Sequence, residues 1–116
     1  MSVQDWSWMN NINKSEMKVF KDLVFKEKIG GGLSAKMDFD NGFSISVIAG
    51  KMAYSTPRED KDSPDDFVSF EIAVFAPNGD WATKDFVPDY DDDVLGWTER
   101  GQINAIMLLI QSKKHA

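Results

Sequence analysis

Alternating apolar and polar residues in the middle of the chain predict two β-hairpins. Over residues 33–39, Leu33, Ala35, Met37 and Phe39 are each followed by a polar residue or end the run, which is typical of a strand with one buried face. Asp-Asn-Gly at 40–42 predicts a tight turn into a second strand over about 43–53. The second hairpin has the same parts: a strand over 67–75, a turn over 77–80 and a strand over 81–87.

Helical spacing of apolar residues appears on either side of these hairpins. Asn13 and Glu16 have the spacing of a capping box, and the apolar residues that follow predict a helix over about 14–27, ended by the glycines at 30–32. Thr98 is a good N-cap for a last helix over about 99–113. Its predicted inner stripe is Ile103, Ile106, Met107 and Ile110.

Together these elements predict an α+β fold. It consists of a four-stranded antiparallel sheet of two hairpins, with an N-terminal and a C-terminal helix packed on one face. The 116 residues suit a single domain over 1–116. Residues 1–11 are predicted to form an arm, and its Trp6 and Trp8 are expected to pack on this core or on a partner. Residues 55–66 form an acidic loop, and both segments are candidates for flexibility.

The net charge of −6 is concentrated in one part of the chain. Residues 59–93 hold 12 acidic and 2 basic residues, whereas the segments before and after it each carry a small positive balance. This distribution opposes binding to nucleic acid or to an anionic membrane. It favours a basic protein partner, and a solvated face that serves only solubility is the alternative. No apolar run approaches the length of a membrane span, and the first 13 residues lack the order of a signal peptide.

Few kinds of active site are compatible with this composition. There is no cysteine, and the single histidine, His115, lies near the C-terminus, so histidine triads and multi-histidine metal sites are excluded. The aspartates at 89, 91 and 93 have the spacing of a calcium loop, but Val94 and Arg100 stand where it needs glycine and glutamate. Weak divalent binding by the run 91–93 stays open. Glu71 lies within a strand and is expected to face solvent. We therefore predict neither an enzyme nor a cofactor.

The candidate binding residues are the carboxylates of the two acidic segments. Adjacent carboxylates about 6 Å apart repel by roughly 0.7 kcal/mol in water, a cost that a purely structural loop does not need. A rigid acidic surface of this kind could also mimic nucleic acid. The predicted partner-binding residues are Glu59, Asp60, Asp62, Asp65, Asp66, Asp89, Asp91, Asp92 and Asp93.

Several short segments give the chain a resemblance to small accessory proteins of tailed bacteriophages. The segments are Gly42-Phe43, Ser46-Val47-Ile48, Phe70-Glu71-Ile72-Ala73-Val74, Asn78-Gly79 and Asp92-Asp93-Val94-Leu95-Gly96-Trp97-Thr98. The stretch over 17–24 is similar as well. The chain departs from that family in its longer acidic segments at 56–66 and 85–93. The resemblance implies an accessory role in the host-cell cytoplasm and transfers no catalytic residue.

Two functions follow as expectations. The first is a non-enzymatic phage protein that binds, and in one version inhibits, a host protein with a basic surface, as in an anti-defence or host-takeover role. The second is a virion structural or assembly protein that forms oligomers, favoured by the tryptophan-rich arm and the apolar last helix. The oligomeric state itself stays open at this point.

Overall fold

The computed structural model describes residues 17–87 and 90–113. In chain order the strands and helices are β1 (Lys26–Glu27), β2 (Leu33–Asp38), β3 (Ser44–Ala49), β4 (Ser69–Phe75), α1 (Thr83–Phe86), β5 (Leu95–Glu99) and α2 (Arg100–Ser112). Two single turns of 3-10 helix, Phe20–Asp22 and Pro64–Asp66, precede β1 and β4.

All five strands form one antiparallel sheet in the order β1-β2-β3-β4-β5. Ala35 pairs with Val47, Val47 with Ile72, and Ile72 with Leu95, so these side chains share one face. The predicted α+β class, antiparallel sheet and C-terminal helix are confirmed. The predicted number of four strands is wrong, because β1 and β5 are added at the edges and the strand predicted at 81–87 is absent.

The two faces of the sheet differ in what lies on them. Helix α2 packs on one face, which we call the covered face, through the predicted stripe; Ile103, Met107 and Ile110 are fully buried and Ile106 is 8% exposed. The strands meet it with side chains of almost no exposure: Ile45, Val47, Phe70, Ile72 and Val74. The opposite side, the open face, mixes polar, small and half-buried apolar side chains: Lys36, Ser44, Ser46, Ile48, Glu71, Ala73 and Phe75.

The first predicted turn also holds the end of α2. Phe39 and Gly42 close the turn by backbone hydrogen bonds, and Gly42 takes a φ of 92°, which suits a residue without a Cβ. The buried Asn41 amide donates to the carbonyls of Ile110 and Lys113 at 2.8 and 2.9 Å. It thus satisfies acceptors that the helix leaves free at its C-terminus.

The N-terminal helix predicted over 14–27 is not confirmed. Within the described part of that range, one 3-10 turn is followed by extended chain and then β1. The backbone of this segment bonds to side chains of α2: Phe20 N–H donates to Asn104 Oδ1 at 2.7 Å, and Gln111 accepts from Lys18 N and donates to Lys18 O. The side-chain amides of Asn104 and Gln111 thus bond to backbone groups that would otherwise need partners within a helix. The segment stays extended, and its aromatic rings pack on the core.

The strand predicted over 81–87 is wrong as well. After the turn, Trp81 makes a single bridge to Phe75, and the chain then forms α1. Val74 N–H donates to Thr83 Oγ1 at 2.9 Å, and the Thr83 hydroxyl donates to the Asp93 carbonyl at 2.6 Å. The buried Thr83 hydroxyl therefore takes the place of a further strand beside this end of β4.

The N-cap of helix α2 is Glu99, one residue later than the predicted N-cap Thr98. Thr98 belongs to β5 and is 1% exposed, on the covered face. Glu99 occupies the N-cap position, and its N–H donates to Gln102 Oε1 at 2.9 Å. A bulge between Phe70 and Ile72 breaks the regular pairing of β4 with β5 just before this junction.

Candidate functional site

The acidic loop over 55–66 is held to the fold at both ends. Near its start, the buried Ser55 hydroxyl accepts from Gly50 N–H and donates to Pro57 O. Asp60 Oδ1 accepts from Lys51 N–H at 2.8 Å. A Cβ built on Gly31 would lie 2.4 Å from Asp60 Oδ2, and one on Gly50 2.8 Å from Asp60 Oδ1. The Asp60 carboxylate thus lies directly against the backbone of Gly31 and Gly50, a position that a Cβ atom on either residue would block.

Arg100 fixes the other end of the loop. Its guanidinium donates to the carbonyls of Phe67 and Pro64 at 2.7 and 2.6 Å and lies about 5 Å from the rings of Phe20 and Phe70. This one side chain therefore joins the start of α2 to the turn Pro64–Asp66. Asp65 and Asp66 are exposed beside this support.

The second acidic segment follows α1. Asp91 and Asp92 are exposed and Asp93 is half-buried, whereas Asp89 lies outside the described residues. Asp92 Oδ1 accepts from Asp93 N–H at 2.7 Å, and the Asp93 carboxylate lies 4.0 Å from Lys84 Nζ. Asp93 is thus engaged with α1 through both its carbonyl and its side chain.

The nine predicted binding residues do not form one uniform surface. Asp60 contacts glycine backbone, and Glu59 pairs with Lys61 at 3.3 Å. Asp65 and Asp66 lie in the 3-10 turn that Arg100 binds through Pro64 O. Asp62 is exposed, with no hydrogen bond or ion pair found for it in the described chain. Asp91 and Asp92 have a different surrounding, described next.

An aromatic pair beside β5 was missed by the sequence analysis. The rings of Tyr54 and Trp97 lie with their centroids 5.0 Å apart and their planes inclined by 31°, and both side chains are exposed. The backbone N–H of Trp97 donates to the backbone carbonyl of Tyr54 at 2.8 Å. The Arg58 guanidinium lies 4.9 Å from the centre of the Tyr54 ring. Tyr54 and Trp97 are far apart in sequence, so no local spacing of residues could predict their contact.

Glu71 connects this pair to the acidic segment. It is half-buried, and its Oε1 accepts from Tyr54 N–H at 3.1 Å, so the expectation of a purely solvent-facing carboxylate was incomplete. Burial raises the pKa of the half-buried Tyr90 above its usual value, and the carboxylates of Asp92, Asp91 and Glu71 raise this pKa further. The Tyr90 hydroxyl donates to the Val94 carbonyl. Glu71 is thus the carboxylate in hydrogen-bond contact with the aromatic pair, and the Tyr90 side chain is bound to the chain just before β5.

We call this group of contacting and neighbouring side chains the Trp97 cluster. Its members are Trp97, Tyr54 and Glu71, which are joined by the ring contact and by the hydrogen bond from Tyr54 N–H to Glu71.

Trp97 has an unusual backbone. Its φ of 50° makes it the one non-glycine residue with a positive φ among residues 17–87 and 90–113. A bulky side chain rarely adopts this conformation, which costs of order 1–3 kcal/mol unless its surroundings compensate. A Cβ on the neighbouring Gly96 would lie 2.7 Å from Tyr54 Cβ, so the absence of a side chain there lets Tyr54 approach β5.

A second aromatic pair lies at the other end of β4. The centroids of Phe75 and Trp81 are 4.8 Å apart, and Trp81 is 52% exposed. Asp80, the neighbour of Trp81 in the chain, lies 3.1 Å from the Asn78 amide. This pair has an exposed tryptophan like the first, but no cation lies over its rings in the described contacts.

Within the described ranges, no group of three or more histidine, cysteine or carboxylate side chains is arranged to hold a metal ion. In the same residues no helix is long and apolar enough to cross a membrane. The Trp97 cluster offers aromatic surface beside negative charge, which suits a cationic group.

Comparison with known protein families, curated proteins and solved structures finds no match to this chain. The resemblance to bacteriophage accessory proteins therefore stays a prediction.

Proposed function

We propose that this protein is a non-enzymatic binding protein whose acidic surface holds a partner protein with a basic surface. The observation that carries the proposal is the exposure of most carboxylates in the two acidic segments. Glu59, Asp62, Asp65, Asp66, Asp91 and Asp92 are all exposed. Only Glu59 of these has a lysine within ion-pair distance in the described chain. Uncompensated surface charge steers the approach of an oppositely charged partner.

The rigid support of the acidic loop strengthens this proposal. Asp60 and Arg100 attach the loop to the fold, so its carboxylates need not be ordered at the moment of binding. A preorganised surface loses less conformational entropy when a partner docks. We extend the proposal to a phage accessory protein that acts on a host protein in the bacterial cytoplasm, with inhibition as the consequence of covering a basic surface.

Capture of proteins from a bacterial lysate tests this function. The variant Asp91→Asn/Asp92→Asn removes two exposed carboxylates, and Asp38→Asn/Asp40→Asn is a matched control that removes two on the first hairpin. We expect the wild type and the control to retain the same basic proteins and to release them when the salt concentration is raised. The Asp91→Asn/Asp92→Asn variant should retain much less of these proteins. Equal retention by all three forms would remove the electrostatic basis of the proposal. Asp93 is left unchanged because its carboxylate lies 4.0 Å from Lys84 Nζ and is therefore partly compensated.

A second candidate function is self-assembly, as in a virion structural protein. The observation that favours it is exposed apolar surface: Trp81 and Trp97 are 52% and 58% exposed, and Leu109 is 52% exposed. Such surface is typical of interfaces when it is contiguous. Sedimentation at increasing concentration separates the two candidates, since a stable oligomer supports assembly and a monomer at high concentration opposes it.

A further inference from the structure

We propose that the Trp97 cluster is the docking site for an arginine or lysine side chain of a basic protein partner. This inference rests on the proposed function, because it names the contact by which the acidic surface would recognise that partner.

The first argument is the exposed aromatic surface. Trp97 is 58% and Tyr54 42% exposed, although their rings contact one another. A guanidinium or ammonium group within about 6 Å of such a ring is attracted by the negative potential of its face. Tryptophan and tyrosine are also the residues that most often dominate binding energy at protein interfaces.

The second argument is a cation that the protein itself places on this pair. The exposed Arg58 side chain carries its guanidinium 4.9 Å from the Tyr54 ring centre. The geometry of this ring therefore suits a planar cation, and in the free protein that cation is Arg58. Arg58 occupies part of the aromatic surface and adds positive charge beside it, so it competes with an incoming arginine or lysine.

The third argument is charge complementarity. Glu71 Oε1 accepts a hydrogen bond from Tyr54 N–H at 3.1 Å, which places a half-buried carboxylate against the aromatic pair, and the exposed Asp91 and Asp92 follow Tyr90 in the segment that leads into β5. The negative charge near the rings favours a cation and repels phosphate. A nucleic acid or an acidic peptide is consequently a poor occupant for this surface.

The fourth argument is preorganisation. The 2.8 Å hydrogen bond from the Trp97 backbone N–H to Tyr54 O fixes the backbone of Trp97 at the edge of the sheet, and the contact with the Tyr54 ring orients the indole. Gly96 provides the space for the close approach of Tyr54. A rigid aromatic side chain loses little conformational entropy when it is covered by a partner.

The experiment uses a blocked hexa-arginine peptide as the probe and the full chain as the protein. Binding is measured at low and moderate salt, and the indole N–H signals are followed by NMR. Trp97→Asn removes the ring while keeping a residue that tolerates a positive φ. Trp81→Ala removes the similarly exposed tryptophan of the other pair and is the matched control.

We expect the peptide to shift the Trp97 indole signal. Trp97→Asn should weaken binding by about 3-fold or more, whereas Trp81→Ala should leave it within about 2-fold. Arg58→Gln should tighten binding more than Lys61→Gln, which removes the same charge from the same loop.

Three outcomes would overturn the inference. If Asp91→Asn/Asp92→Asn weakens peptide binding and Trp97→Asn does not, the docking site is wrong while the proposed function stands. If neither variant changes binding, both proposals fail. If the wild type dimerises, Trp97→Asn disrupts the dimer and the peptide leaves the Trp97 signal unmoved, the occupant is a second copy of this chain.

Discussion

The covered and open faces of the sheet are made by the same strands, yet they differ in composition and in support. On the covered face, fully buried Ile45, Val47 and Val74 meet the apolar stripe of α2. On the open face, the central strand β3 carries the small polar side chains Ser44 and Ser46. Large aromatic rings lie at the margins of this face in two pairs, Tyr54 with Trp97 and Phe75 with Trp81. The comparison indicates that stability comes mainly from the covered face, which leaves the margins of the open face available for recognition.

The largest expected effect is a loss of stability when the covered face is damaged. Ile106 lies in the inner stripe of α2 and is 8% exposed. Ile106→Ala should cost about 2–5 kcal/mol of unfolding free energy through lost burial and a residual cavity. Leu109→Ala on the same helix is the control, because Leu109 is 52% exposed and should cost much less. Urea unfolding measures both, and equal midpoints would contradict the assignment of the two helix sides.

A smaller loss is expected from a polar group buried beside the end of β4. Thr83→Val keeps the shape of the side chain but leaves Val74 N–H and the Asp93 carbonyl without their partner. The expected cost is about 1–3 kcal/mol. Thr56→Val is the comparison, since exposed Thr56 accepts from the Ser69 hydroxyl at the other end of the strand. Chemical unfolding should show the larger loss for Thr83, and the reverse order would refute its role as a substitute for a strand.

Strands β2, β3 and β4 and helix α2 are the elements that the sequence predicted correctly. Alternation over 33–38 and 44–49 and the stripe from Ile103 to Ile110 are local signals, and each describes one element packed on one core. The segments that were predicted wrongly depend on distant partners. Phe20 N–H bonds to Asn104, 84 residues away, so no local spacing could show that residues 17–27 of the predicted helix would form a 3-10 turn and extended chain instead.

The candidate site was predictable only in its charge. Exposed Asp91 and Asp92 follow from composition, because carboxylates seldom lie buried without partners. The contact between Tyr54 and Trp97 depends on the sheet order, the β4–β5 bulge and the space beside Gly96. Those are properties of the folded chain, and a single sequence does not state them.

Tyr90 gives a pH-dependent effect confined to alkaline conditions. Its raised pKa means that the folded protein favours the neutral phenol more than the unfolded chain does, whose tyrosine pKa is about 10. This contribution to stability is fully present below that pH and is lost as pH rises through the folded-state pKa. Unfolding free energies measured from pH 8 to 11 should therefore fall more steeply for the wild type than for Tyr90→Phe. Parallel curves would show that the surroundings of Tyr90 do not favour its neutral form.

The smallest effect on stability is expected at the open face itself. Trp97→Asn removes the ring contact with Tyr54. An aromatic pair of this kind contributes about 0.5–1.5 kcal/mol to stability. It also relieves a bulky residue of its φ of 50°, a conformation that asparagine tolerates better. The two effects oppose one another, so the unfolding free energy should change by no more than about 1 kcal/mol. Thermal or urea unfolding of the same variant used for peptide binding measures this directly. A large loss would mean that Trp97 is a structural support, and a near-neutral change with weakened peptide binding would assign its strained backbone to recognition.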